Sequence, residues 1–174
     1  MKLVSHISSF LRSELDLPQV LSLRGRSGPL AVMSAGKVYR ATQLSRTRLE
    51  AFHQAEILLA AEGLHEWDFM NRLQTLLDRL LPGRPWRMQQ FAVPLCDRAW
   101  AMAVEWEGQW TDVCAWGAYS RRVVEWLGND SQNFGAIGID FGLDRLACVH
   151  FGIDDIRKVE AARIANLKLQ IANL

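Results

Sequence analysis

Several common chemistries lack their minimal parts in this chain. It contains no G-x-S-x-G elbow and no H-E-x-x-H pair, which removes the short signatures of a serine hydrolase and a zinc protease. A phosphate-cradling glycine loop is missing too: Gly28 to Lys37 holds a Gly-Lys pair, but the first glycine is misplaced and neither Ser nor Thr follows the lysine. Cysteine is scarce. Cys96, Cys114 and Cys148 lie far apart, which fits neither a disulfide framework nor a structural zinc site and leaves them as buried, reduced thiols. The longest purely apolar run, Ile57 to Ala61, is far too short to cross a bilayer, and residues 1–18 have no apolar core of signal-peptide length. The expectation is therefore a cytoplasmic protein with no membrane association. Net charge is small as well: 20 basic against 19 acidic residues leave +1. That excludes whole-surface attraction of a polyanion, though not a local patch.

The chain does have ordinary globular composition. Its 174 residues are 49% hydrophobic and 22% charged, enough for one core, and no repeat or linker divides them, so a single domain over residues 1–174 is expected. Phe69, Met70, Leu73, Leu76, Leu77, Leu80 and Leu81 recur at three- and four-residue spacing and predict an amphipathic helix over Glu66 to Leu81, ending at the Pro82-Gly83-Arg84-Pro85 turn. From Met88 the period becomes two. Trp100, Met102, Val104 and Trp106 alternate with small or polar residues, Glu107-Gly108 supplies a turn, and Trp110, Asp112 and Cys114 continue the alternation on one face of a second strand. A helix from Ser120 to Leu127 closes at Gly128, a strand follows over Gly135 to Asp140, and helices run from Leu143 to Val149 and from Ile156 onward. Strands clustered beside helices without βαβ alternation indicate an α+β fold on an antiparallel sheet.

Two segments carry the chemistry. Residues 36–60, GKVYRATQLSRTRLEAFHQAEILLA, form two alternating stretches around a loop with Arg40, Arg46 and Arg48. Three guanidiniums this close repel unless an anion neutralises them, and their planar forks match phosphate oxygens; a solvated charged loop is the competing reading. The segment resembles motif 2 of class II aminoacyl-tRNA synthetases and is most similar to the phenylalanyl-tRNA synthetase α-chain. Gly36-Lys37-Val38-Tyr39-Arg40 matches its first strand and Phe52-His53-Gln54-Ala55-Glu56 its second, with Ile57 in place of a glycine. Residues 135–157, GAIGIDFGLDRLACVHFGIDDIR, resemble motif 3 through Gly142-Leu143-Asp144-Arg145-Leu146-Ala147 and Gly152-Ile153-Asp154-Asp155-Ile156-Arg157. Trp110-Thr111-Asp112-Val113-Cys114 looks like the family's W-L-E strand, and residues 23–29, LRGRSGP, align loosely with its L-R-T-H-T-S-P.

The resemblance implies an antiparallel sheet flanked by helices, ATP and Mg2+ as cofactors, and amino-acid activation. It implies that Arg40 holds the α-phosphate and the substrate carboxylate, Arg145 the γ-phosphate, Phe52 the adenine, and Arg48 further phosphate charge. Gly142 would give the backbone access to the nucleotide, and Asp112 would approach ATP and its magnesium. Gln54 and Glu56 would receive the α-amino group, and Gly138 and Asp140 would floor the side-chain pocket, with Val93 and Leu95 nearby. A carboxylate at Asp140 suits an aromatic side chain poorly. Thr42 stands where the family carries an acidic residue, and the tRNA-gripping coiled coil has no counterpart. The implied partners are an amino-acid substrate and an acceptor that is a carrier, a small molecule or tRNA, with a homodimer as the usual assembly of such domains. Aminoacylation of tRNA with a partner subunit and a non-catalytic amino-acid or nucleotide sensor stay open as alternatives.

Overall fold

The computed structural model describes residues 11–162. In chain order the elements are α1 (Asp16–Ser22), β1 (Leu30–Tyr39), β2 (Ala51–Glu62), α2 (Glu66–Leu80), β3 (Trp86–Phe91), β4 (Cys96–Trp106), β5 (Gln109–Tyr119), α3 (Arg121–Leu127), β6 (Phe134–Gly142) and α4 (Leu143–Phe151). Residues 157–162 are again helical. The six strands form one antiparallel sheet in the order β1-β2-β6-β5-β4-β3, which is the expected α+β arrangement. The continuation of the last helix, and residues 1–10, lie outside the described residues.

Local chemistry explains the elements. Phe69, Leu73 and Leu77 bury one stripe of α2, and Glu66 and Asp68 in its first turn with Arg79 in its last complement the helix dipole. Leu76 and Leu80, read from spacing as part of that stripe, are exposed, so the buried face is narrower than the periodicity suggests. The β4–β5 hairpin turns through Glu107 (φ 51°) and Gly108 (φ 72°), a two-residue loop whose positive φ values match the strand twist. Strand β6 runs two residues beyond the predicted end at Asp140, because Phe141 and Gly142 still pair with β2.

One expectation is corrected here. Period-two reading puts Asp112 on the same face as Cys114, but Met102 pairs with Cys114 while Ala103 pairs with Asp112, leaving Val113 as an extra residue in a β-bulge. The bulge reverses the phase of β5. Cys114 and Trp116 join the core under α2 and α4, whereas Asp112 turns to the opposite face and is exposed.

The sheet has unequal covers. One face packs Met102, Trp106, Trp116, Ile137, Ile139 and Phe141 against α2 and α4. On the other, Leu58, Ala60, Tyr119 and Ala136 pack against Val20 of α1 and Val123, Val124 and Leu127 of α3. That second cluster covers one end of its face, and the other end is an open cavity.

Candidate active site

The cavity holds about 560 Å³. Arg40 at the end of β1, Arg48 in the β1–β2 loop, Phe52 and Gln54 of β2, Asp112 of β5, Asp140 and Gly142 of β6, and Arg145 of α4 all line it. Residues nearly one hundred positions apart are therefore brought to one surface by the β2–β6 pairing, in which Gln54 faces Gly142 and Glu56 faces Asp140.

The cationic residues are held by backbone. Arg145 donates from Nε to the Thr47 carbonyl at 3.0 Å and from Nη1 to the Asp112 carbonyl at 2.9 Å, so its guanidinium is aimed before any anion arrives. Burial lowers its pKa from the ordinary arginine value; Asp112 opposes the shift, and the charges of Arg48 and Arg40 add to it. A group in that position gains from an anion. Arg40 donates from Nε to the Ser13 carbonyl at 3.1 Å and from Nη2 to the Gln54 side-chain oxygen at 3.3 Å, and its guanidinium carbon sits 5.3 Å from the centroid of the Phe52 ring. The third loop arginine does not join them. Arg46 pairs instead with Glu107 and Asp154, at 3.8 and 3.7 Å.

Gly142 separates the demands of fold and site. Its backbone (φ −77°) suits any residue, and an added Cβ would meet nothing closer than the Val113 carbonyl at 3.8 Å. The fold does not require glycine there; the space a side chain would fill belongs to the cavity.

At the other end of the site the expectations are partly met. Asp140 lines the cavity and is pushed up to about 7, by burial first and then by Asp16, with Arg40 opposing and Glu14 adding. Glu56 and Gly138 do not line it. Glu56, paired with Asp140 on the neighbouring strand, is buried, where its Oε1 accepts the Leu15 amide at 2.7 Å and burial pushes it up to about 8, with Asp140, Asp16 and Glu14 adding. Gly138 lies under the Tyr119 hydroxyl, which would stand 2.6 Å from an added Cβ. Residues 23–29, Val93 and Leu95 are also absent from the lining.

Sequence reasoning missed Asp144, which is buried and accepts the His53 amide at 2.7 Å while facing the His53 ring nitrogen at 3.2 Å. It ties the first turn of α4 to β2 and so fixes Arg145 relative to Phe52 and Gln54. Its place beside Arg145 in the motif was the available signal. Gln89 and Phe91 of β3, with Ala101 and Ala115, also line the cavity and carried no signal beyond strand alternation.

Over residues 4–169 the sequence matches the family described as the tRNA synthetases class II core domain (F). The chain belongs to that family. It is 27% identical over 160 residues to the phenylalanine-tRNA ligase alpha subunit of Nostoc punctiforme, covering 92% of this chain and 48% of the relative. The proteins of the same name from Thermosynechococcus vestitus and Prochlorococcus marinus are 29% and 28% identical, each over 86% of this chain and over 45% and 44% of their own lengths. This class II core thus spans under half the length of the curated relatives it matches. Among its described residues no helix is long and apolar enough to cross a membrane.

Proposed function

We propose that this class II core activates an amino acid with ATP, forming an aminoacyl adenylate and pyrophosphate, and passes the acyl group to an acceptor that is a carrier, a small molecule or tRNA. The observation that carries the reading is the placement of Arg40 and Arg145 in one cavity, each fixed by backbone carbonyls, with the Phe52 ring beside Arg40 and open space at Gly142. In the reaction a carboxylate oxygen forms a bond to the α-phosphorus while the bond to the β-phosphate bridging oxygen breaks. The carboxylate is already ionised at neutral pH, so no general base is needed, and alignment with charge neutralisation supplies the rate.

Arg40 holds the α-phosphate and the substrate carboxylate together, Phe52 stacks on the adenine, and Arg145 with Arg48 holds the outer phosphates. Gln54 is buried against Arg40 and faces the α-amino group. Among the described residues no cluster of three or more His, Cys, Asp or Glu could hold a metal by itself. Asp112, which lines the cavity, would offer its carboxylate to a magnesium ion held with the phosphate oxygens. The ion would supply charge neutralisation on the triphosphate.

ATP-pyrophosphate exchange with each amino acid in turn tests the proposal. Exchange with at least one amino acid is expected, falling roughly 100-fold or more in Arg145→Ala. No exchange with any amino acid at high protein concentration, or full exchange in Arg145→Ala, refutes it. The relatives' designation as alpha subunits favours, as a second reading, transfer to tRNA together with another subunit. Salt-dependent filter binding of tRNA to this chain alone and with a candidate subunit separates that reading from transfer to a small acceptor.

A further inference from the structure

Building on the adenylation site, we propose that its amino acid carries a second cationic group on an aliphatic side chain, as in ornithine or lysine, and that Asp140 is the specificity-determining residue that receives it. One row of residues crosses the sheet on the cavity's side. Register places Ser34, Glu56, Asp140, Ala115, Ala101 and Gln89 side by side on successive strands, all on the cavity's face of the sheet. With Gln54 facing the α-ammonium, the adjoining row still brings one carboxylate, Asp140, to the cavity, while its paired neighbour Glu56 is sealed from it.

Neither carboxylate is satisfied by the protein. Glu56 is 1% exposed, and while Oε1 accepts the Leu15 amide, Oε2 is buried with no hydrogen-bond partner. Asp140 makes no hydrogen bond or ion pair among the described residues, and the one cation acting on it is Arg40, which the reaction commits to the phosphate and carboxylate. Asp16 and Glu14 deepen the negative charge around both. Asp140, half-buried and lining the cavity, is the carboxylate a second cationic group of the substrate can reach, whereas Glu56 is sealed from it.

The shape argues against an aromatic substrate. On the next row, the Tyr119 hydroxyl sits where a Cβ on Gly138 would meet it at 2.6 Å, and Cys96 Sγ sits 2.8 Å from a Cβ on Gly117. Protein atoms thus occupy the space above both glycines. What stays open is a trough over Ala115 and Ala101, walled by Gln89 and Phe91, which suits a run of methylenes.

Titration calorimetry and ATP-pyrophosphate exchange with ornithine, lysine, norleucine and phenylalanine decide the matter. Ornithine or lysine should be preferred over the neutral isostere norleucine by tenfold or more, and in Asp140→Asn that ratio should collapse toward one. Preference for norleucine or phenylalanine in the native chain overturns the inference and leaves adenylation standing if exchange is seen. A preference for lysine that Asp140→Asn does not alter overturns the assignment to Asp140. Binding of a basic amino acid without exchange keeps the inference and overturns adenylation. Neither binding nor exchange with any of the four overturns both. The native ratio alone carries the test of the substrate class if Asp140→Asn does not fold.

Discussion

Arg145 and Gly142, three residues apart, answer to different masters. Arg145 is fixed through two backbone carbonyls, and a lysine there would keep the charge but lose the fork that reaches both Thr47 and Asp112. Arg145→Lys should therefore bind ATP at least tenfold more weakly than the native chain in a calorimetric titration; equal affinity would show that charge alone suffices. Gly142→Ala makes the opposite kind of test. The nearest atom to its new methyl is 3.8 Å away, so its melting temperature should stay within about 2 °C of native. Nucleotide affinity should fall, because the methyl enters the cavity. Unchanged affinity would place the nucleotide elsewhere.

Strands and helices show where sequence was readable. The helix over Glu66 to Leu80 and the hairpin at Glu107-Gly108 follow from periodicity and turn chemistry that act within a few residues. Arg40, Phe52, Gln54 and Arg145 were singled out by two short motifs, and in this chain the β2–β6 pairing brings them to one cavity. The face of Asp112 was not legible, since a single-residue bulge at Val113 depends on pairing with β4, a partner the alternation of β5 does not encode. Nor was the burial of Glu56, which depends on residues 13–16 crossing over it. Element-scale energetics can be checked on β6 and α4. At Gly135 a Cβ would meet the Leu64 carbonyl oxygen at 2.2 Å, a backbone atom that cannot step aside, so Gly135→Ala should destabilise by about 2 kcal/mol or more where Gly142→Ala does not. Asp144→Ala removes the carboxylate that accepts the His53 amide and faces its ring, and should cost about 1–3 kcal/mol in urea unfolding. A value near zero would mean that α4 docks without this tie.

Across the whole molecule, the face of the sheet left open by α1 and α3 is also the face where acidic groups gather. Residues 12–15 run along its edge: the Arg12 carbonyl accepts the Tyr39 amide at 2.8 Å, the Ser13 carbonyl accepts Arg40 Nε, and the Leu15 amide donates to Glu56. Packing this segment over the site buries Glu56 beside Asp140, Asp16 and Glu14, with Arg40 the facing cation. Glu56 moves from 4.5 to about 8 and Asp140 from 3.8 to about 7, in both cases chiefly through burial. An acid whose pKa is raised by folding holds in the native state a proton that the unfolded chain has released. Stability is then highest below the unfolded values and falls as pH rises through the interval up to the folded ones. Without ligand, urea unfolding should show stability declining between pH 5 and 8, with a slope of up to about 1.4 kcal/mol per pH unit for each proton retained. Glu56→Gln keeps an oxygen for the Leu15 amide and cannot ionise, so its profile should be flatter, most visibly between pH 7 and 8, where Asp140 contributes least. A native profile that is level across this range, or one that Glu56→Gln leaves unchanged, would mean that the buried carboxylate finds its compensation elsewhere in the fold.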